Sequence, residues 1–159
     1  MSIPELSIHL SGLGRVVLCS GSFDLFHAGH VLFLEACKRF GDVLVVGIGS
    51  DEAVRGNKGP GRPIMNRVVR NKIVSACRCV DWTFIEDVTT APGRVGLFLE
   101  QAFANIRPNV YVANEDAPEM ESRVGMCQKF GVRFALLPRY CPPEYDGIST
   151  TKLIEKIRR

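Results

Sequence analysis

The sequence predicts an α/β fold, a three-layer domain around a parallel five-stranded sheet, and three observations predict it. Five short runs are almost continuously apolar and rich in β-branched residues, as strands buried on both faces must be. Segments of helical period separate them, so strands and helices alternate strictly, which demands right-handed crossovers and helices on both faces. The chain's 159 residues, 46% hydrophobic and 23% charged, suit one core, and a single domain over 1–159 is expected.

The elements follow in order. "RVVLCSG" (15–21) is the first strand, and a helix over 29–40, stopped by Gly41, leads to the second, "DVLVVGIG" (42–49). Residues 50–65 read as an irregular segment. Asn66 is placed to cap a helix over 66–77, and "VDWTFI" (80–85) is the third strand. A second irregular segment, 86–93, precedes a helix over 94–105 and the fourth strand "NVYVA" (109–113). Pro118 opens the next helix, 118–130, with Gly131 just past its end; "VRFALL" (132–137) is the fifth strand. After a third irregular segment, 138–148, the last helix "STTKLIEKIR" starts at Ser149. Long loops in a compact domain are usually functional. No internal repeat, low-complexity tract or interdomain linker interrupts this order.

Composition narrows the function. The net charge of +3 is mild and its Lys and Arg residues are scattered, so neither a nucleic-acid nor a membrane surface is expected. No apolar run approaches the roughly 20 residues of a membrane span, and "MSIPELSIHL" lacks the basic start and long apolar stretch of a secretory signal, so a cytoplasmic chain is expected. Cys19, Cys37, Cys77, Cys79, Cys127 and Cys141 read as reduced thiols, and without a Cys-x-x-Cys pair no zinc site or other metal centre is expected.

Open α/β sheets bind ligands beyond the carboxyl ends of their strands, where helix amino termini present partial positive charge and free N–H groups. "GSFDLFHAGH" (21–30) lies there: it leaves the first strand and enters the first helix, with His27 and His30 flanking the turn and Gly29 allowing close backbone approach. "RGNKGPGRP" (55–63) adds Arg55, Lys58 and Arg62 among three glycines, and the last helix opens on Ser149, Thr150 and Thr151. Taken alone, the histidines also suit metal ligands or satisfied core imidazoles, the lysine segment a solvated turn, and the hydroxyls a simple cap. The absence of Gly-x-Gly-x-x-Gly in the first turn argues against NAD and flavin.

The residues carry a resemblance. "GSFDLFHAGHVLFL" resembles the GxFD…HxGH signature of the cytidylyltransferase-like nucleotidyltransferases, and "GISTTKLIEKI" (147–157) resembles their second signature. "KGPGRPI" (58–64) is similar to the equivalent loop of heptose-1-phosphate adenylyltransferases, and "RNKIVSACRCVD" (70–81) to the family's R-x7-R-x-VD helix. The resemblance implies a Rossmann-like sheet in the order 3-2-1-4-5. It also implies transfer of a nucleotide from a nucleoside triphosphate to a phosphorylated small alcohol or sugar, with pyrophosphate released.

Site residues follow from the same resemblance. His27, His30 and Lys58 are the expected catalytic groups. Gly21, Ser22, Phe23, Asp24, Gly29, Asn114, Asp116, Gly147, Ile148, Ser149 and Thr150 are the expected nucleotide site, with Asp24 alternatively buttressing the turn. Arg70 and Arg78 are expected on the acceptor phosphate or triphosphate, Mg2+ on the nucleotide phosphates, and a homodimer as the assembly. Two departures stand out. Glu144 occupies the position where many cytidylyltransferases carry arginine, with Arg139 able to substitute, and "ANEDA" (113–117) replaces a glycine-rich turn. "GIST" and "LPR" favour CTP as the donor, whereas "KGPGRPI" points to ATP. A catalytically silent nucleotide sensor and a flavodoxin-like electron carrier are the competing classes.

Overall fold

The computed structural model describes residues 3–86, 95–145 and 147–159. Its elements are α1 (Ile3–Leu10), β1 (Val16–Gly21), α2 (Ala28–Lys38), β2 (Val43–Ile48), α3 (Asp51–Lys58), α4 (Arg67–Ser75), β3 (Trp82–Ile85), α5 (Val95–Ile106), β4 (Val110–Asn114), α6 (Met120–Phe130), β5 (Arg133–Leu137), a 3₁₀ turn (Pro143–Tyr145) and α7 (Thr150–Ile157). The five strands form one sheet in the order β3-β2-β1-β4-β5, and every pairing is parallel. Both the parallel sheet and its order match the expectation.

The period-2 alternation of each strand splits the core into two layers. Val16, Leu18, Val43, Val45, Phe84 and Tyr111 face one side, where Leu99, Phe103 and Ile106 of α5, Leu6 and Leu10 of α1 and Cys127 of α6 cover them. Val17, Cys19, Leu44, Val46 and Val112 face the other, under Leu34 and Cys37 of α2 and Val74 of α4. Inner strand β2 is buried along its whole length, whereas edge strand β5 is half exposed. All six cysteines are free, with Cys19, Cys37 and Cys127 buried.

Two helices were not expected. Ile3, Leu6 and Leu10 recur at helical spacing, so α1 was legible; it lays that stripe on the α5 side. Within the expected irregular segment, Ser50 caps α3 by accepting the Ala53 amide at 3.1 Å, with Asp51 and Glu52 in the first turn and Arg55 and Lys58 in the last. That charge order suits the helix dipole, so helix is favoured despite Gly56 and Asn57. Lys58 therefore ends a helix instead of sitting in a free loop. Helix boundaries also move: α4 ends at Ser75 and α6 starts at Met120, while Asn66 caps α4 and Gly131 closes α6 in the left-handed region at φ 66°. Most of the segment 86–93 lies outside the described residues.

Candidate functional site

Beyond the carboxyl ends of the strands lies a cleft of about 390 Å³, within the range of small-ligand pockets. The turn after β1, the end of α3, the residues after β4 and β5, and the start of α7 surround it. Of the expected residues, Gly21, Ser22, Phe23, His27, Gly29, His30, Lys58, Asn114, Asp116, Ile148 and Thr150 line it.

The turn is held in an unfavourable shape. Phe23 and Leu25 adopt positive φ, 49° and 45°, which costs a residue with a Cβ about 1 kcal/mol or more. Gly21 makes this possible, because a Cβ there would meet the Phe23 ring at 3.0 Å. Asp24, only 1% exposed, holds the turn in place. Its carboxylate accepts from Arg62 Nε at 2.8 Å and from the Ile64 and Met65 amides at 2.9 Å, and its carbonyl accepts the Thr150 hydroxyl at 2.9 Å. Burial pushes its pKa up, but these amides and Arg62 outweigh burial and hold it below the usual carboxylate range. With every acceptor engaged and no face on the cleft, Asp24 is the buttress.

His27 is the N-cap of α2, and its ring stacks on His30 at 3.9 Å and 22°. The His27 amide donates to His30 Nδ1 at 3.4 Å, so the proton of a neutral His30 sits on Nε2. Phe26 stacks on His30 and Phe23 meets it edge-on, at 5.4 and 5.5 Å. Burial, then His27 and Arg139, push the His30 pKa down to about 3, so the ring is neutral at ordinary pH. Burial and Arg139 lower His27 as well. His27 Nδ1 is buried without a partner among the described residues, leaving Nε2 as the accessible nitrogen. Gly29 makes the room: a Cβ there would lie 3.1 Å from Cε1 and Nδ1 of His27 and 3.6 Å from the Ile148 carbonyl. The starts of α2 and α7 therefore touch, and both helix amino termini open on the cleft.

Five expected residues do not line the cleft: Asp24, Arg70, Arg78, Gly147 and Ser149. Arg70 lies away from the cleft lining. It is fully buried, donating to the carbonyls of Met65 at 2.9 Å, Ser22 at 2.5 Å and Gly49 at 2.7 Å, and to Asp51 at 2.6 Å. A guanidinium so committed ties β1, β2, α3 and α4 together and has no fork left for a phosphate. Arg78 is exposed beyond the end of α4. Ser149 spends its hydroxyl on the Lys152 amide at 3.2 Å, and Gly147 supplies φ 55° and a carbonyl for Lys152 Nζ at 3.0 Å. Arg139 faces the cleft and pairs with Asp116 at 3.2 Å.

Glu86 and Arg123 are among the cleft residues that escaped sequence reasoning. Glu86 follows Trp82 and Phe84 in strand phase, and Arg123 sits one turn before buried Cys127 on the inner face of α6. A carboxyl and a guanidinium in apolar register were the available signals. Among the described residues no group of three or more His, Cys, Asp or Glu side chains is placed to hold a metal, and no helix is long and apolar enough to cross a membrane.

Comparisons with known proteins bear on the family and the fold. The bifunctional protein HldE of Geotalea uraniireducens (strain Rf4) is 39% identical over 145 residues, 91% of this chain and 27% of that protein. HldE of Trichlorobacter lovleyi is 36% identical over 144 residues, 90% of this chain and again 27% of the relative. The chain thus spans about a quarter of the length of the curated relatives it matches. In structure, a lipopolysaccharide core biosynthesis protein from Thermoplasma volcanium superposes with TM-score 0.64 at 22% identity, over 81% of this chain and 98% of that one. Pantothenate synthetase from Thermus thermophilus reaches 0.69 at 16% identity, over 96% and 65%; both likenesses speak to fold alone. A cytidylyltransferase-like family model matches residues 18–156, a span that includes the histidine turn, the end of α3 and the start of α7, and to that family this chain belongs.

Proposed function

We propose that the chain is a nucleotidyltransferase, joining a nucleoside triphosphate to a phosphorylated polyol or sugar and releasing pyrophosphate. The observation that supports it best is the pair of neutral imidazoles, each with an accessible Nε2, set on the amino terminus of α2 where it meets the start of α7. An oxygen of the acceptor's phosphate, ionised at neutral pH because its second pKa is about 6, attacks the α-phosphorus. The bond to the bridging oxygen breaks, and its electron pair leaves with pyrophosphate. No strong general base is needed.

The chain's task is to stabilise charge. His30, neutral with its proton on Nε2, donates to a phosphate oxygen, and His27 does the same from Nε2. The amino termini of α2 and α7 add free N–H groups and partial positive charge. Lys58 at the end of α3 and Arg139 after β5 supply full positive charge from opposite walls. Mg2+ enters with the nucleotide as part of the substrate and neutralises phosphate oxygens.

The donor in this proposal is ATP. The adenylyl alternative fits the HldE relatives, which match about nine-tenths of the chain, and the "KGPGRPI" stretch agrees with it. CTP, which the sequence favours, is the second reading, supported by "GIST" and by the family's description. Pyrophosphate release is measured with ATP and CTP against hexose 1-phosphates and glycerol 3-phosphate. Tight nucleotide binding with no pyrophosphate from any acceptor would make the chain a sensor, and a preference for CTP above tenfold would restore the second reading.

A further inference from the structure

Behind the phosphate-facing turn the cleft runs inward along the α5–α6 face of the sheet, and strand alternation decides what lines it. Val16 and Leu18 share that face on β1, so Ser20 does; Trp82 and Phe84 share it on β3, so Glu86 follows. Between them β2 and its exit present Gly47, whose missing side chain lets the Phe98 and Phe84 rings close in, and Gly49, which adds no side chain beside Glu86. A Cβ on Gly47 would meet the Phe98 ring at 2.9 Å and Ser20 Cβ at 3.4 Å, and one on Gly49 would lie 3.8 Å from Glu86 Oε2. The glycines thus bring the Ser20 hydroxyl, the Phe98 ring and the Glu86 carboxyl to one inner pocket. From α6, Arg123 closes it, donating from Nε to the Pro118 carbonyl at 2.7 Å and from Nη1 to the Tyr111 hydroxyl, which shares a 3.1 Å hydrogen bond with Ser20 Oγ.

Ser20, Tyr111 and the Nε and Nη1 atoms of Arg123 are engaged with one another or with the Pro118 carbonyl. The Glu86 carboxyl makes no hydrogen bond or ion pair with another described residue, yet it faces the cleft. A carboxyl, unlike a lysine or a free helix amino terminus, offers phosphate no complementary charge. It accepts hydrogen bonds from hydroxyls, and the adjacent phenyl ring suits the C–H face of a sugar or polyol.

We propose that Glu86, with Ser20 and Arg123 beside it, is the site that selects a polyhydroxylated acceptor, the carboxylate accepting hydrogen bonds from two neighbouring hydroxyls on the acceptor's carbon chain. This rests on the transfer reading above and names the class of acceptor it takes. Burial pushes the Glu86 carboxyl up to about 7 while Arg123 and Arg70 pull it down. Among the described residues nothing donates to its charged form, and a bound diol supplies those hydrogen bonds. Glu86 is thus a binding group for the acceptor and takes no part in handling the nucleotide.

The test is steady-state pyrophosphate release by the wild-type chain, Glu86→Gln and Glu86→Asp, with mannose 1-phosphate, glycerol 3-phosphate and the hydroxyl-free 1-propyl phosphate as acceptors. Glu86→Gln should lower kcat/KM for the two hydroxylated acceptors about tenfold or more, the worth of a hydrogen bond to a charged group, and leave 1-propyl phosphate and the nucleotide KM within twofold. Glu86→Asp, which keeps the charge but withdraws it by one methylene, should show the same split. An equal loss on all three acceptors, or a rise confined to the nucleotide KM as a ribose site would give, overturns the proposal. Calorimetric titration of mannose 1-phosphate into the chain saturated with a non-hydrolysable nucleotide separates the two readings. Binding weakened tenfold in Glu86→Gln without any turnover refutes transfer and keeps the pocket; equal binding by both proteins refutes the pocket alone.

Discussion

Replacing Arg70 by alanine should unfold the site, not merely empty it of a ligand. Its guanidinium is 0% exposed and donates to three backbone carbonyls and to Asp51, at 2.5 to 2.9 Å. Those acceptors belong to the histidine turn, the end of β2, the start of α3 and the approach to α4, so one side chain sets the relative position of four pieces of the cleft. Removing one partner from a buried ion pair costs about 3–5 kcal/mol, because the remaining groups stay buried and unpaired. Domains of this kind hold only about 5–15 kcal/mol in total. With a urea dependence of about 2 kcal/mol per molar, the midpoint should fall by about 2 M. Equilibrium urea unfolding by circular dichroism reads this directly. Arg70→Lys should recover only part of the loss, since an ammonium cannot make the forked pair of contacts from Nη1 and Nη2. If Arg70→Ala loses less than about 1 kcal/mol while acceptor KM rises a hundredfold, the residue is a phosphate ligand after all and the structural reasoning fails.

Three further outcomes are expected. His30→Ala should lower kcat about a hundredfold or more while unfolding stays cooperative, since a lost transition-state donor costs about 2.7–4 kcal/mol; an unchanged kcat in single-turnover assays removes the imidazole from the reaction. Gly29→Ala should raise or preserve thermal stability yet depress kcat, because its Cβ would press on the His27 ring at 3.1 Å, and wild-type kcat in that variant would show the ring position is unimportant. Stability should also report Glu86 and His30 with opposite signs. Glu86 is raised from 4.5 to about 7, so its contribution is present below pH 4.5 and lost as pH rises through 7; His30 is lowered from 6.5 to about 3, so its contribution is present above pH 6.5 and lost as pH falls toward 3. Relative to wild type, Glu86→Gln should therefore gain up to roughly 3 kcal/mol between pH 4.5 and pH 8.5 in urea titrations, and a pH-independent difference would mean the carboxyl is not desolvated.

The sequence by itself determined the layered fold and the place of the cleft. Strands buried on both faces must be apolar throughout, so β1, β2 and β4 announce themselves, and strict alternation with helices leaves a parallel sheet whose ligand edge is known in advance. It also located His27, His30 and Gly29, because a turn between a buried strand and a helix has few ways to point. Tertiary structure alone decided what the buried polar residues do. Arg70 looks like a phosphate ligand in a linear motif, but its fork closes on carbonyls contributed by residues 22, 49 and 65, which no local pattern relates. Asp24 is assigned as a buttress only once Arg62, Ile64 and Met65 fold back over it. Glu86 went unnoticed because periodicity says which face a residue shares, whereas its meaning depends on Gly47 admitting the Phe98 ring and Gly49 adding no side chain beside the carboxyl. Apolar burial is additive and non-directional, so it can be read one residue at a time. A buried hydrogen bond needs a specific partner at a specific distance, and that partner is chosen by the folded chain.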